Sequence, residues 1–176
     1  MTKKEAYSVL IKLKYYKFNL HIVWTSFLFW YGKYDRALDY INKVFPTNNT
    51  IDILCWKGIL CYFLKDYNSA IYYLEKAERI ASESIEIKFF LAEFFFKSAQ
   101  IKKAEERYRV LVADSEYKTL GLYGVGCCLL KTNRHVEALS FFNKALSFAK
   151  QDFLPKILNK KGLCLMELNK NEKARE

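Results

Sequence analysis

The sequence contains few of the residues that interrupt helices. Only 6 of its 176 residues are glycine and 2 are proline, and these two residue types most strongly mark turns between short elements. Apolar residues make up 52% of the chain and aromatic residues 17%, a composition that excludes an intrinsically disordered chain. A chain of this length is large enough for one domain with a continuous core. We therefore expect long helices connected by short turns.

Groups that catalyse reactions or bind metals are also scarce. The two histidines, His21 and His135, are far apart in the sequence and belong to no HExxH pattern. The chain has no cysteine–histidine spacing typical of a zinc site. Gly124 and Gly126 precede Lys131, but the glycine directly before the lysine that a phosphate loop requires is missing. These absences predict a protein that is not an enzyme and that uses no metal and no cofactor.

No two of the five cysteines form a CxxC motif, and the chain carries no secretory or membrane signal. The cysteines are Cys55, Cys61, Cys127, Cys128 and Cys164. Unpaired cysteine behaves as a small buried hydrophobe and fits a reducing compartment. The opening residues MTKKEAYSVL lack the apolar run of a secretory signal, and the apolar stretch 22–30 is too short to span a bilayer. We expect an intracellular protein of the cytoplasm or nucleus, without a membrane span.

The chain has an excess of positive charge. It contains 29 lysines and arginines against 19 aspartates and glutamates, a net charge of +10. One interpretation is that the lysines only solvate the outer faces and the ends of helices, where cations are favourable near the C-terminus. The other is an acidic partner, either a protein or a nucleic acid. Charge alone leaves both open.

One residue pattern recurs five times along the chain. A small residue is followed twelve positions later by an alanine, and successive alanines are 33, 34, 34 and 36 positions apart. The small residues are Thr25, Gly58, Ala92, Gly126 and Gly162, and the alanines are Ala37, Ala70, Ala104, Ala138 and Ala174. A period near 34 is typical of helix–turn–helix repeats. We expect each pair to lie where the two helices of a repeat cross, because a bulky side chain there would hold the helices apart.

Larger apolar residues follow each alanine at helical spacing. Ile41 and Val44 stand four and seven positions after the first alanine, and Tyr108 and Leu111 take these positions in the third repeat. These offsets draw one apolar stripe along a helix. The predicted helices span residues 3–17, 19–31, 34–46, 51–64, 67–80, 85–98, 101–113, 118–131, 134–149 and 154–168, and a turn is predicted at 168–170.

The chain resembles the tetratricopeptide repeat family in three segments, GILCYFLKDYNSAIYYLEKA, AEFFFKSAQIKKAEERYRVL and GCCLLKTNRHVEALSFFNKA. The resemblance implies an all-α, right-handed superhelical array of antiparallel helix pairs, an α-solenoid that binds proteins. It covers residues 18–176, with repeats near 18–50, 51–84, 85–118, 119–154 and 155–176. No repeat has proline at the family's usual closing position.

The two ends of the chain depart from a complete repeat. Residues 1–17 are predicted to form a capping helix or a partial repeat, with Val9, Leu10, Leu13 and Tyr16 on an apolar face. The fifth repeat is incomplete, because only two residues follow Ala174. Terminal repeats normally need a polar cap, so we expect further repeats beyond residue 176.

The resemblance also implies where partners bind. In this family the first helices of the repeats line the inner, concave face. The residues at those positions here are predominantly aromatic: Phe29, Trp30, Trp56, Ile59, Tyr62, Phe63, Phe89, Phe90, Glu93, Phe96 and Tyr123. A wide apolar patch on a protein surface indicates an interface, whereas tighter packing of the repeats would bury some of these side chains instead.

The charged groups that hold chaperone C-termini in some family members are absent. Ile22 and Ser26 stand at the lysine and asparagine positions of the first repeat. Trp56 replaces the asparagine of the second repeat, and Glu86 and Phe90 replace the basic residues of the third. The sequence therefore predicts no carboxylate clamp.

Two functions follow from these observations. The first is a non-enzymatic scaffold that binds an apolar helix or segment in the aromatic groove. The segment would come from a protein partner or from a second copy of the chain, as part of a larger assembly. The alternative is a basic helical-repeat module that binds RNA or an acidic protein surface.

Overall fold

The computed structural model describes residues 1–12, 20–47 and 50–173. In these ranges the chain forms ten helices and no strand, which confirms the prediction of an all-α fold. The helices are α1 (Lys3–Lys12), α2 (Leu20–Trp30), α3 (Tyr34–Val44), α4 (Ile51–Phe63), α5 (Tyr67–Ile80), α6 (Ile85–Lys97), α7 (Ile101–Leu111), α8 (Lys118–Lys131), α9 (His135–Leu146) and α10 (Leu154–Lys173). They form two compact units, unit 1 (Met1–Ser98) and unit 2 (Ala99–Glu176).

Unit 1 contains α1 to α6. Helices α2 to α6 pack in chain order, each against the next, and α1 contacts both α4 and α6. Helix α1 begins with a reciprocal cap: the backbone N–H of Glu5 donates to Thr2 Oγ1 and the backbone N–H of Thr2 donates to a Glu5 carboxylate oxygen. This capping box satisfies donors that would otherwise be unpaired at the start of the helix.

The close crossing of α4 and α5 shows why a repeat needs small residues. A methyl group added to Gly58 would lie 3.1 Å from Leu74 and 3.2 Å from the carbonyl oxygen of Ala70. Ala70 is itself fully buried. Any larger side chain at either position would push the two helices apart, because packed interiors have no spare volume.

In unit 2, α7 to α10 pack in chain order, and α10 also contacts α8. Two glycines of α8 receive large rings from its neighbours. A methyl group added to Gly126 would lie 2.6 Å from the Phe142 ring of α9, and one added to Gly124 would lie 2.3 Å from the Tyr108 ring of α7. Both rings are buried. Glycine at these two positions makes the room in which the rings pack.

The turns that follow the first helices share one geometry. Gly32, Lys65, Ala99 and Asn133 all have positive φ, between 59° and 74°. After α2, the Gly32 N–H donates to Phe29 and the Lys33 N–H donates to Leu28. This is the Schellman pattern that closes a helix with a left-handed residue. The pattern turns the chain sharply into the next helix.

The end of the described chain differs from the prediction. Helix α10 continues through residues 168–170, where a turn was predicted, and reaches Lys173. This turn prediction is therefore wrong: Leu168, Asn169 and Lys170 contain neither glycine nor proline, and asparagine is tolerated inside a helix at modest cost. No described atom lies within 4 Å of a methyl group added to Gly162. Ala174, its predicted partner, lies outside the described residues, as do Leu13 and Tyr16.

Candidate functional site

Seven of the aromatic residues predicted for the groove form one connected cluster in unit 1: Phe29, Trp30, Trp56, Tyr62, Phe63, Phe89 and Phe90. The Phe29 ring lies at the centre, 5.8 Å from Trp56, 5.1 Å from Phe63 and 6.0 Å from Trp30. Edge-to-face pairs at such distances are favourable because ring edges are positive and ring faces negative. The cluster therefore joins α2 to α4 through ring contacts.

A second set of ring contacts extends the cluster to α6. Tyr62 stacks on Phe94 with ring centroids 4.5 Å apart, and Phe94 lies 6.1 Å from Phe90. Phe90 in turn lies 5.9 Å from Phe89. Phe94 was not among the predicted groove residues, because it stands two positions after Ala92, outside the positions that the family comparison marks as inward.

The predicted groove residues differ greatly in exposure. Six of them are buried within the chain: Phe29, Trp56, Ile59, Tyr62, Phe89 and Phe90. Phe63, Glu93 and Phe96 are partly exposed, and Trp30 is 45% exposed. Tyr123 belongs to unit 2, where its ring packs against Phe142 and Phe153. The other ten predicted groove residues all lie in unit 1.

Helix α1 covers part of this cluster. The Tyr7 ring meets the edge of Trp30 at 5.4 Å and of Trp56 at 6.4 Å. Ala6 is fully buried, and the amino group of Met1 lies 3.1 Å from a Glu93 carboxylate oxygen. We call Trp30, Trp56 and Glu93 the α1-binding surface.

Lys3 of α1 contacts the C-terminal end of α2. Its Nζ donates to the backbone carbonyl of Trp30 at 3.3 Å and lies 5.1 Å from the centre of the Tyr34 ring. A cation is favourable at a helix C-terminus, because the last carbonyls are unpaired and carry partial negative charge. Lys3 therefore contributes both charge and ring contacts to the docking of α1.

Polar groups in the cluster have neighbours that fix their protonation. Burial, together with the negative charges of Glu93 and Glu5, raises the pKa of Tyr62, so its hydroxyl stays protonated. The indole Nε1 of Trp56 is buried and has no hydrogen-bond partner among the described residues. An unpaired buried donor carries a desolvation cost. Ring contacts with Tyr7 and Phe29 hold Trp56 in place.

Part of α2 lies outside this cluster and is exposed. The Trp24 and Phe27 rings stack at 5.2 Å, and Phe27 meets Tyr31 at 4.5 Å. Tyr31 is 69% exposed. These three residues were not predicted as groove residues, because they stand one position before and two and six positions after Thr25, outside the positions taken as inward.

The described residues were compared with the requirements of a metal site and of a membrane span. No group of three or more histidine, cysteine, aspartate or glutamate side chains that could hold a metal occurs among them. None of the described helices is both long and apolar enough to cross a membrane.

Comparison with known sequences places the repeat pattern in a family. The sequence profile described as "Tetratricopeptide repeat" matches residues 51–84, which comprise α4 and α5. Residues 51–84 of this chain are thus identified as a tetratricopeptide repeat. The chain's repeats indicate a scaffold for protein–protein interaction, a role that in this family is typically non-enzymatic.

A curated relative is the RNA polymerase-associated protein CTR9 of Caenorhabditis elegans, 29% identical over 119 residues. That match covers 65% of the chain but spans only 10% of CTR9.

Solved structures of other helical proteins superpose on most of the chain. YrrB, described as a TPR protein with an unusual peptide-binding site, matches 98% of the chain and 88% of its own length, with a TM-score of 0.66 and 20% identity. Pseudomonas aeruginosa PilF matches 98% of the chain and 73% of its own length, with a TM-score of 0.71 and 15% identity. Desulfovibrio magneticus MamA matches 88% and 92%, with a TM-score of 0.67 and 16% identity. Similarity at these identities supports the fold alone.

Proposed function

We propose that unit 1 binds an apolar helix of a protein partner, or of a second copy of the chain, at the α1-binding surface. The observation that carries this proposal is the position of α1, a helix that already contacts Trp30, Trp56 and Glu93 there. A surface that accepts one helix through ring edges and one ion pair suits another helix of similar chemistry. A partner would add its own helix in place of α1, within a larger assembly.

The position of α1 has a thermodynamic consequence for such a partner. A tethered helix competes at an effective concentration that can reach the millimolar range. A free partner helix must therefore bind more tightly than α1 or be tethered itself. Weakening the docking of α1 should raise the apparent affinity of the surface for any added helix.

The test changes α1 while leaving the α1-binding surface intact. Trp56 is a poor site for substitution because it is fully buried, and truncating it would destabilise the core by about 3–5 kcal/mol. Ala6→Lys instead places a charge on the fully buried position of α1. Ser8→Lys is the matched control, because it adds the same charge to an exposed position of the same helix.

The probe is a fluorescently labelled synthetic peptide that spans residues 1–12. We expect Ala6→Lys to bind this peptide roughly tenfold or more tightly than the unchanged chain and Ser8→Lys do. Fluorescence anisotropy measures the binding, and acrylamide quenching of tryptophan fluorescence reports the uncovering of Trp30. Equal binding and equal quenching in all three chains would contradict the proposal.

The alternative function is binding of RNA or of an acidic protein surface, and the net charge of +10 supports it. The two functions differ in their response to salt. Binding through phosphate contacts weakens steeply as salt is added, whereas association through buried rings persists. Measuring the binding of the residue 1–12 peptide and of a labelled oligouridine at low and high salt separates them.

A further inference from the structure

A second surface lies in unit 2, between α7, α8 and α9. It is an open cleft of about 450 Å³, within the volume range of small-ligand pockets. Its apolar lining residues are Val112, Leu122, Phe141 and Phe148. Leu122 is buried, whereas Phe148 is 52% exposed. The cleft therefore offers apolar area at the protein surface that the packing of unit 2 does not cover.

Three cations surround this apolar area. Lys118 Nζ lies 4.1 Å from the centre of the Phe148 ring, while Arg109 and Lys144 lie 5.3 Å and 5.4 Å from the Phe141 ring. Cations are attracted to ring faces at such distances. The aromatic side chains thus hold three positive groups around one cleft.

Carboxylates neutralise only part of this charge. Glu105 accepts hydrogen bonds from Arg109 at 2.6 Å and 3.1 Å, so this pair is already formed. Among the described residues, no carboxylate forms an ion pair with Lys118 or Lys144. Two lysine ammonium groups beside exposed apolar area remain available to an anionic partner.

We infer that this cleft binds a short acidic peptide segment of a partner protein. The carboxylates of the segment pair with Lys118 and Lys144, and one apolar side chain of the segment packs on Leu122, Phe141 and Phe148. Charge complementarity sets the choice of partner and speeds the encounter, and the buried apolar side chain supplies an anchor. The inference gives the alternative function a site in unit 2 and does not depend on the α1-binding surface.

The geometry favours a peptide over RNA. Proteins that bind single strands present ring faces on which bases stack, along a positive path that follows the backbone. Here cations already lie by both the Phe141 and the Phe148 rings, and the positive groups surround one cleft. A carboxylate next to an apolar side chain fits this arrangement better than a stacked base does.

The probe for the test is a fluorescein-labelled peptide of sequence DDFDD, with NNFNN and DDSDD as matched peptides that lack the charge or the anchor. Two full-length variants change the cleft: Lys144→Glu reverses an exposed charge and Phe148→Ala removes an exposed ring. Lys76→Glu is the control, because Lys76 Nζ lies 4.5 Å from the Tyr72 ring in unit 1 and makes the same kind of contact. Circular dichroism verifies that each variant is folded.

We expect the unchanged chain and Lys76→Glu to bind DDFDD equally, and each cleft variant to bind it roughly tenfold or more weakly. NNFNN and DDSDD should also bind more weakly than DDFDD. The inference is wrong if DDFDD does not bind, or if Lys76→Glu weakens binding as much as Lys144→Glu. It is also wrong if a labelled oligouridine binds in place of the peptide and loses binding in the cleft variants. Ala6→Lys should leave DDFDD binding unchanged, which separates this test from that of the α1-binding surface.

Discussion

At the scale of the residue, the same amino acid has different consequences at equivalent positions of the repeat. Gly126 and Gly162 both occupy the small-residue position, in α8 and α10. At Gly126 the Phe142 ring fills the space of a side chain, whereas no described atom occupies that space at Gly162. Sequence position alone therefore does not decide whether glycine is needed.

This difference gives a matched pair of substitutions. Replacing glycine with alanine inside a helix stabilises it by about 1 kcal/mol, and overpacking a core costs about 1–3 kcal/mol. We expect Gly126→Ala to lower the free energy of unfolding by roughly 1 kcal/mol, because the buried Phe142 ring has little room to move. Gly162→Ala should raise the free energy of unfolding by up to about 1 kcal/mol. Urea unfolding of both variants measures the difference, and equal effects would contradict these contacts.

At the scale of the element, helix ends depend on single side chains. Asp66 precedes α5, and its carboxylate accepts a hydrogen bond from the backbone N–H of Ser69 at 3.1 Å. Hydrogen bonding by Ser69 lowers the pKa of Asp66 below its ordinary value of 3.8. The ionised carboxylate is thus the form that caps the helix.

The cap makes the stability of α5 dependent on pH. The pKa of Asp66 is lower in the folded chain than in the unfolded chain. The cap therefore stabilises the fold fully at pH values above the unfolded pKa, and this stabilisation is lost as the pH falls through the folded pKa. We expect Asp66→Ala to lower the free energy of unfolding by about 1 kcal/mol near neutral pH. Asp66→Asn should retain most of the cap and show a weaker loss of stability below about pH 4. Unfolding curves across the acid range test this, and identical pH profiles for the unchanged chain and Asp66→Asn would disprove the role of the carboxylate.

Helix α1 covers part of the predicted groove. Ala6 is buried and the Tyr7 ring contacts α2 and α4, whereas the predicted apolar face at Val9, Leu10, Leu13 and Tyr16 stays a prediction. Tyr7 contacts two of the predicted groove tryptophans. Under the proposed function, a partner helix would therefore compete with a segment of the same chain.

At the scale of the whole molecule, all five cysteines are buried and form no disulfide, and both units contain them. Burial, with the nearby charge of Asp66, raises the pKa of Cys61 to about 11, and burial also raises the pKa of Cys55 and Cys164. Since the thiolate is the reactive form, a raised pKa lowers the reactivity of Cys55, Cys61 and Cys164 at neutral pH.

Alkylation should therefore report the folding of both units. We expect iodoacetamide to modify none of the five cysteines at the rate of a free thiol while the chain is folded. After unfolding without reductant, mass spectrometry should find five modifications. Fewer than five would reveal a disulfide and contradict the expectation of a reducing compartment.

The helices and their approximate bounds could be predicted from the sequence, because they depend on local patterns. The spacing of small residues and alanines, such as Gly58 with Ala70, identifies helix pairs without knowledge of distant contacts. The predicted and observed ranges 67–80 and 118–131 coincide. Helices and short turns depend on residues that are close together in the sequence, so they can be predicted without knowledge of the tertiary structure.

The tertiary structure decided which predicted side chains are buried and which distant side chains lie close together. Trp30 and Trp56 were equivalent as predicted groove residues, yet one is 45% exposed and the other fully buried, because α1, α2 and α4 meet at Trp56 and leave the outer side of Trp30 open. Lys118 and Phe148 are thirty positions apart in the sequence and lie 4.1 Å apart in the cleft. Contacts of this kind arise from the packing of whole helices, and no local period encodes which side chains that packing brings together.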